Sequence, residues 1–222
     1  MEFRFTEEQE QFRKEVRDFL ENEIKIGSFK PKCDAWMTQH SKDFSRKLAQ
    51  RGWIGLAWPK EHGGQGKSHL DRLILTEELI RYGAPVNAHW FGDRQIGPSI
   101  IEYGSDEQKR EFLPRILKAE ISFAIGMSEP GAGSDLASLK TKAREDGDYY
   151  IIDGQKIWSS GAHIFEYLYA VVRTDPDAPK HKGISEFIID LKSPGVTVNP
   201  IIDITGDRHF NEVFFDNVRV HK

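Results

Sequence analysis

Apolar positions recur at helical spacing through the first half of this chain and at strand spacing through the second. Phe12, Val16, Phe19 and Leu20 follow Thr6-Glu-Glu-Gln9, a hydroxyl and an amide at capping-box spacing, and predict an amphipathic helix over roughly residues 7–25. Ser41 caps a second helix with Phe44 and Leu48, which Gly52 stops. Leu70, Leu73, Ile74 and Leu79 mark a third helix ending at Gly83, and Ile96, Ile100 and Ile101 a fourth. Ser105 opens a fifth with Phe112, Leu113, Ile116 and Leu117, and Pro114 is expected to break or restart it. Between them, Trp53–Trp58 reads as an apolar connection and Gly63-Gly-Gln-Gly66 as a mobile loop. Near residue 121 the period changes. Lys140, Lys142 and Arg144 alternate with Thr141 and Ala143, Glu145–Asp148 forms a turn, and Tyr149–Ile152 returns as a strand. Tyr167–Arg173, Ile184–Leu191, Val196–Pro200 and Glu212–Phe215 are further strands. Helices first and strands after predict an α+β chain, with a helical domain over residues 1–120 and a β domain over 121–222.

Composition narrows the class. With 222 residues, 38% hydrophobic and 30% charged, the chain is expected to be globular rather than disordered. A formal charge of −4 offers no general field for nucleic acid. No apolar run approaches the ~20 residues of a membrane span. The acidic N-terminus, Met1–Glu8, lacks the apolar segment of a signal peptide, and Cys33 is the single cysteine, so a reducing cytoplasm is the expected compartment.

Two turns carry the candidate chemistry. Phe123–Asp135 brings an apolar run into Pro130, Gly131 and Gly133, with Ser128 and Ser134 beside them, and Gly154–Gly161 ends a strand on Trp158, Ser159 and Ser160. Hydroxyls flanked by glycine add little to a core, but glycine lets backbone N–H groups approach a polar ligand. Simpler patterns fail. Gly66-Lys67-Ser68 resembles the end of a P-loop, but Glu61 occupies the position of the first glycine. Gly131-Ala-Gly-Ser-Asp-Leu136 lacks the third glycine of a dinucleotide fingerprint and opens no helix. The eight histidines show no i, i+4 pair and no cysteine partners, so no zinc site is expected, and His62, His163 and His209 read as surface groups or as supports behind a site.

Met127–Asp135 and Asp153–Gly161 together resemble the flavin-binding signature of the acyl-CoA dehydrogenase family. Leu56–Gly66, Gly104–Lys109 and Val213–Val220 match further segments of that family in order, so the resemblance covers essentially the whole chain. Family members run to nearly twice this length, and the resemblance ends where their last helical domain begins. It implies an N-terminal helical domain followed by an antiparallel β-sandwich or barrel-like domain. It also implies FAD, held by Ile125, Gly126, Met127, Ser128, Gly133, Ser134, Trp158, Ser159 and Ser160. Trp158 is expected against the isoalloxazine and Ser160 at N5. Met127 and Ser128 are expected on the pyrimidine edge, and Ser134 near the pyrophosphate and the bound acyl-CoA. Chemistry agrees with these types: a tryptophan covers part of a flat ring face and a hydroxyl bonds its polar edge. The alternative for Trp158 is ordinary core.

The implied reaction is α,β-dehydrogenation of an acyl-CoA, with electrons passed on to an electron-transfer flavoprotein or a similar acceptor, in a homo- or hetero-oligomer. The family's base is a glutamate of the last helical domain. No residue here matches it, so no catalytic residue is named; Glu129 and Glu166 lie in segments with other roles. Two alternatives remain. One is a non-catalytic FAD- and acyl-CoA-binding subunit or fragment that needs a partner. The other is a flavin oxidase or monooxygenase of the same fold. Trp90–Arg94 either lines the acyl pocket or packs the helical domain around a local ion pair, and Gly206-Asp207-Arg208 falls where the family often has a glycine-x-arginine turn.

Overall fold

The computed structural model describes residues 4–222, so Met1, Glu2 and Phe3 of the acidic N-terminus lie outside the described residues. Its residues fall into two compact units, one ending at Ile121 and the other spanning Ser122–Lys222.

The first unit is helical: α1 (Glu7–Lys25), α2 (Ala35–Thr38), α3 (Lys42–Gln50), α4 (His69–Arg81), α5 (Asn87–Phe91), α6 (Gly97–Tyr103) and α7 (Asp106–Leu117). The capping box expected at Thr6 closes, and Ser105 opens its helix with a second one, each hydroxyl accepting from the backbone N–H three residues on. Val16, Phe19 and Leu20 of α1 meet Phe44 and Leu48 of α3, Trp53, and Leu75 and Leu79 of α4 in one core. At its side the buried Glu78 takes hydrogen bonds from both Arg13 and Arg17. Burial alone raises that carboxyl, but the two guanidinium groups outweigh it and hold the group ionised below its ordinary range.

Four expectations are corrected. The third helix is present with Ile74 and Leu79 buried as expected, but Leu70 and Leu73 are exposed, and Leu75 and Glu78 complete the buried stripe of α4 instead. The fourth helix starts earlier, at Asn87, and runs through one turn of π-helix, Gly92–Ile96. There the Asp93 carbonyl accepts from the Trp58 indole N–H (2.9 Å), and its carboxylate accepts from the Gly55 N–H (2.7 Å). The Trp58 ring lies so close to Gly97 that a Cβ would meet it at 2.0 Å, so the widened turn makes room for the indole. Gly63–Gly66 is not loose: the N–H groups of Gly64, Gln65 and Gly66 donate to the carbonyls of Pro59, Gly55 and Trp58. Pro114 does not break α7. Its φ suits a helix and only the bond to the Arg110 carbonyl is forgone, while Phe112, Leu113 and Ile116 bury the face that holds the segment in place.

The second unit is one curled mixed sheet of seven strands: β1 (Phe123–Gly126), β2 (Lys142–Asp146), β3 (Tyr149–Lys156), β4 (Tyr167–Arg173), β5 (Ile184–Asp190), β6 (Val196–Ile201) and β7 (Phe210–His221). The strands run β1-β4-β2-β3-β7-β6, with β5 on the far side of β4. Pairing is antiparallel except where β4 meets β1 and, at its last residue, β2. The helical-then-β architecture that the resemblance implies is therefore observed, but the expected antiparallel sheet is mixed, with two parallel contacts. Gly147, at φ 60°, makes the tight β2–β3 turn. A bulge between Ile152 and Gly154 bends β3 just before its end, which aims the following residues.

Candidate functional site

The two turns singled out by sequence leave neighbouring parts of this sheet and are stitched together by backbone and side chain. β1 runs into Met127 and Ser128, and the next four residues close on themselves: the N–H of Glu129 donates to the Ala132 carbonyl (2.9 Å) and that of Ala132 to the Glu129 carbonyl (3.1 Å). β3 ends at Lys156, and the following Ile157 N–H donates to the Ser128 carbonyl (2.9 Å). Beneath this junction the fully buried Lys156 ammonium donates to the Met127 carbonyl (3.0 Å) and to the Glu129 carboxylate (3.0 Å). The same carboxylate accepts from the N–H groups of Lys140 (2.6 Å) and Thr141 (2.9 Å). Burial pushes Glu129 up, but bonds from Thr141, Lys140 and Lys156 more than cancel it and leave the carboxyl below its ordinary range. Burial pulls Lys156 down against the attraction of Glu129. Glu129 and Lys156 therefore form the bolt between the turns, and Glu129, buried and held ionised by three donors, serves there as a structural carboxylate.

Beyond Lys156 the chain turns sharply. Trp158 sits at φ 63°, a left-handed conformation that β-carbons resist, and its side chain is 55% exposed. The indole meets Phe210 edge-on at 5.8 Å. Its partial exposure and strained backbone argue against the core reading. Ser159 is fully buried, so its hydroxyl faces inward, whereas Ser160 is half-buried on the same outer turn as Trp158. The N–H of Ser159 donates to the Asn211 carbonyl (3.0 Å) and that of Gly161 to the His209 carbonyl (2.8 Å), which ties this turn to the start of β7.

Of the residues expected from sequence, Ile125 and Gly126 end β1, Met127 and Ser128 stand half-buried at the junction, and Trp158 and Ser160 lie on the turn joined to it. Gly133 and Ser134 lie on the exposed continuation, where a Cβ on Gly131 or Gly133 would meet nothing within 4 Å. Asp135 beside them is paired with Lys180 (2.6 Å). The donor set fits a flat aromatic ligand with a polar edge: a half-open indole, two half-buried hydroxyls, and open space over glycine backbone. Sequence reading missed Lys156 and Asn211. Lys156 closes the polar stretch Asp153-Gly-Gln-Lys156, so nothing local marks it as buried, and nothing local marks Asn211.

Other chemistry lies elsewhere. His89 and Asp93 are buried in the helical unit. The His89 imidazole shares a hydrogen bond with the Ser45 hydroxyl (2.8 Å), and burial, with the charge of Arg94, drives it down to about 3. Burial also raises Asp93. Trp90 packs on that unit's core, with the Arg94 guanidinium 4.0 Å over its ring. A cavity of about 430 Å³ in the helical unit is lined by Gly63, Leu113, Pro114 and Leu117 among others, and none of the two turns' residues borders it. Among the described residues no group of three metal-ligating side chains comes together, and no helix is long and apolar enough to cross a membrane.

Comparison with known proteins agrees with the fold. Residues 6–120 match the acyl-CoA dehydrogenase N-terminal domain and residues 124–218 the middle domain. The chain belongs to the acyl-CoA dehydrogenase family. It is 40% identical over 217 residues to the acyl-CoA dehydrogenase IpdE1 of Mycobacterium tuberculosis, covering 95% of this chain and 56% of that protein. It is 41% identical over 218 residues to FadE29 of the same organism, covering 97% and 55%. Among solved structures, it resembles the Tcur3481-Tcur3483 steroid ACAD with a TM-score of 0.88 and 37% identity, over 100% of this chain and 57% of that one. It resembles the ChsE4-ChsE5 complex from Mycobacterium tuberculosis with a TM-score of 0.85, 37% identity and the same full coverage, against 56% of that chain. The chain thus spans about half the length of the curated relatives it matches.

Proposed function

We propose that this chain supplies the flavin- and acyl-CoA-binding turns of an FAD-dependent acyl-CoA dehydrogenase, within a heteromeric assembly whose other polypeptide provides the base. The observation that carries the reading is Trp158, strained at φ 63° and half-open beside Ser160 on a turn bolted to Met127 and Ser128. The indole covers one ring face; the Ser160 hydroxyl bonds the N5 edge; the backbone of Met127 and the hydroxyl of Ser128 hold the pyrimidine edge. Ser134, with Gly133, receives the pyrophosphate and the acyl-CoA where backbone is open. When bound, FAD supplies the electron acceptor for removal of a hydride from the substrate β-carbon, and an electron-transfer flavoprotein or similar protein takes the electrons onward. Heteromeric assembly is supported by the likeness to the ChsE4-ChsE5 complex, and the likeness to a structure titled steroid ACAD makes a steroid-derived acyl-CoA the first substrate to try.

The test is FAD titration, by flavin fluorescence, of the purified chain alone and co-purified with a partner polypeptide of the family. Trp158→Ala and Ser160→Ala are expected to weaken FAD retention and shift the flavin spectrum. Unchanged affinity and spectrum in both variants sink the reading.

A further inference from the structure

Asn211 is buried at the start of β7, fully out of solvent, and carries no charge to pair. Its side-chain nitrogen donates to two carbonyls, Ser159 (2.8 Å) and His209 (3.3 Å). Its backbone carbonyl accepts from the Ser159 N–H (3.0 Å), so backbone and side chain of Asn211 together hold both polar groups of the Ser159 backbone. The adjoining bond, Gly161 N–H to the His209 carbonyl (2.8 Å), closes the far side of the same turn. Ser159 sits between Trp158 and Ser160, so whatever fixes its peptide groups fixes the direction of both neighbours.

The residue type is specific to that task. Two carbonyl acceptors on one side-chain atom require two N–H donors, which an amide nitrogen has and a hydroxyl or carboxylate lacks. The arrangement is also costly. The Asn211 Oδ1 and the Ser159 Oγ are both buried without a hydrogen-bond partner among the described residues. A buried polar group left unmatched costs stability, and such costs gather where shape is set for a ligand rather than for the fold. The strained φ of Trp158 is a second cost at the same turn.

We propose that Asn211 is a positioning residue for the flavin turn: its amide locks the carbonyls of Ser159 and His209 and so holds Trp158 and Ser160 in the orientation that receives the ring. The proposal rests on the flavin reading above. Asn211 touches no substrate or cofactor in this role; it acts through the turn.

The experiment uses the full chain with Asn211→Asp, Asn211→Ser, Trp158→Ala and Ser160→Ala, and two readouts. The first is amide hydrogen-exchange protection of Ser159 and Gly161, which needs no flavin, with Val213 of β7 as the internal control. The second is FAD affinity, in the partner-bound assembly, measured from pH 5 to pH 8. In Asn211→Asp a carboxylate faces two carbonyls, so protection of Ser159 and Gly161 and FAD affinity are expected to fall on the order of ten- to a hundred-fold at pH 8. Protonation restores one donor, so the ratio of variant to wild type is expected to recover toward one as pH falls to 5, which cancels any response of the neighbouring His209–Asp203 pair common to both. Asn211→Ser, with one donor at every pH, is expected to fall between them without that pH dependence, and it serves if the Asp variant does not fold. The proposal is overturned if both variants keep wild-type protection and affinity. It is overturned as well if Val213 loses protection together with the turn in Asn211→Ser at all pH values, since that marks a general structural role. If the Asn211 variants open the turn while Trp158→Ala and Ser160→Ala leave FAD untouched, the flavin reading fails and the positioning role falls with it.

Discussion

At the scale of single residues, function and stability pull apart most visibly at Trp158. A non-glycine residue in the left-handed region costs about 1 kcal/mol, and an indole 55% open to solvent returns little of it. Trp158→Gly is therefore expected to leave the fold as stable or up to about 1 kcal/mol more stable in denaturant melts, while FAD affinity drops. A loss of stability above about 1 kcal/mol would show that the ring packs as core. The bolt beneath it behaves oppositely. Removing one partner of a buried ion pair costs roughly 3–5 kcal/mol, because the other charge stays buried. Lys156→Met is expected to destabilise the chain by about 3 kcal/mol, and adding Glu129→Gln should recover part of that loss; no recovery would mean the pair is not coupled. His89 gives a pH signature. Its folded pKa is depressed from 6.5 to about 3, so the folded state holds the neutral ring while the unfolded chain takes up a proton below 6.5. The contribution is complete above 6.5 and is lost as pH falls toward 3, at about 1.4 kcal/mol per pH unit. Between pH 7 and pH 5 the wild type should lose about 2 kcal/mol more than His89→Gln. Equal losses would place the imidazole in contact with water.

At the scale of elements, the chain shows which signals sequence carries. Caps and alternation were plain: Thr6 and Ser105 start their helices, and Tyr167–Arg173 is a strand with the bounds its apolar run suggests. Tertiary contacts overrode local rules elsewhere. Leu70 and Leu73 share the apolar character of Leu75 and Leu79, and only packing against α1 decides which are covered. The π turn at Gly92–Ile96 depends on Trp58, 35 residues before the Asp93 to which it donates, so no local pattern announces it. The candidate site was half legible. Its hydroxyls, glycines and tryptophan lie in two short segments, whereas Asn211 joins the site across 52 residues. Pro114 tests how far packing carries a helix past a lost bond. Pro114→Ala restores the N–H to the Arg110 carbonyl and is expected to raise stability by about 1 kcal/mol, less than the full proline penalty because the unfolded chain also gains freedom. A lower melting temperature would mean that the ring itself holds the wall of Leu113 and Leu117.

At the scale of the whole molecule, the question is whether these residues alone carry out the chemistry. Dehydrogenation of an acyl-CoA needs a carboxylate to remove the weakly acidic α-proton, and a base must be within reach of that proton with an acceptor lone pair to spare. The carboxylates around the two turns each hold a structural partner. Glu129 accepts three hydrogen bonds in the junction, Asp135 is paired with Lys180, and Glu166 accepts the Ser122 N–H. Asp203 holds its own loop through Thr205 and Asp207, and Glu212 accepts from Gln155. Losing general base catalysis alone lowers the rate on the order of 10²–10⁴-fold. The purified chain, given FAD, straight-chain and steroid-derived acyl-CoA substrates and an artificial electron acceptor, is therefore expected to show no robust turnover. Addition of a polypeptide carrying the base should restore it. Peroxide measured in place of the artificial acceptor separates a dehydrogenase from an oxidase in the restored assembly. Turnover by the chain alone would mean that one of these partnered carboxylates serves as the base, and Glu129→Gln, Asp135→Asn and Glu166→Gln in turn would identify which.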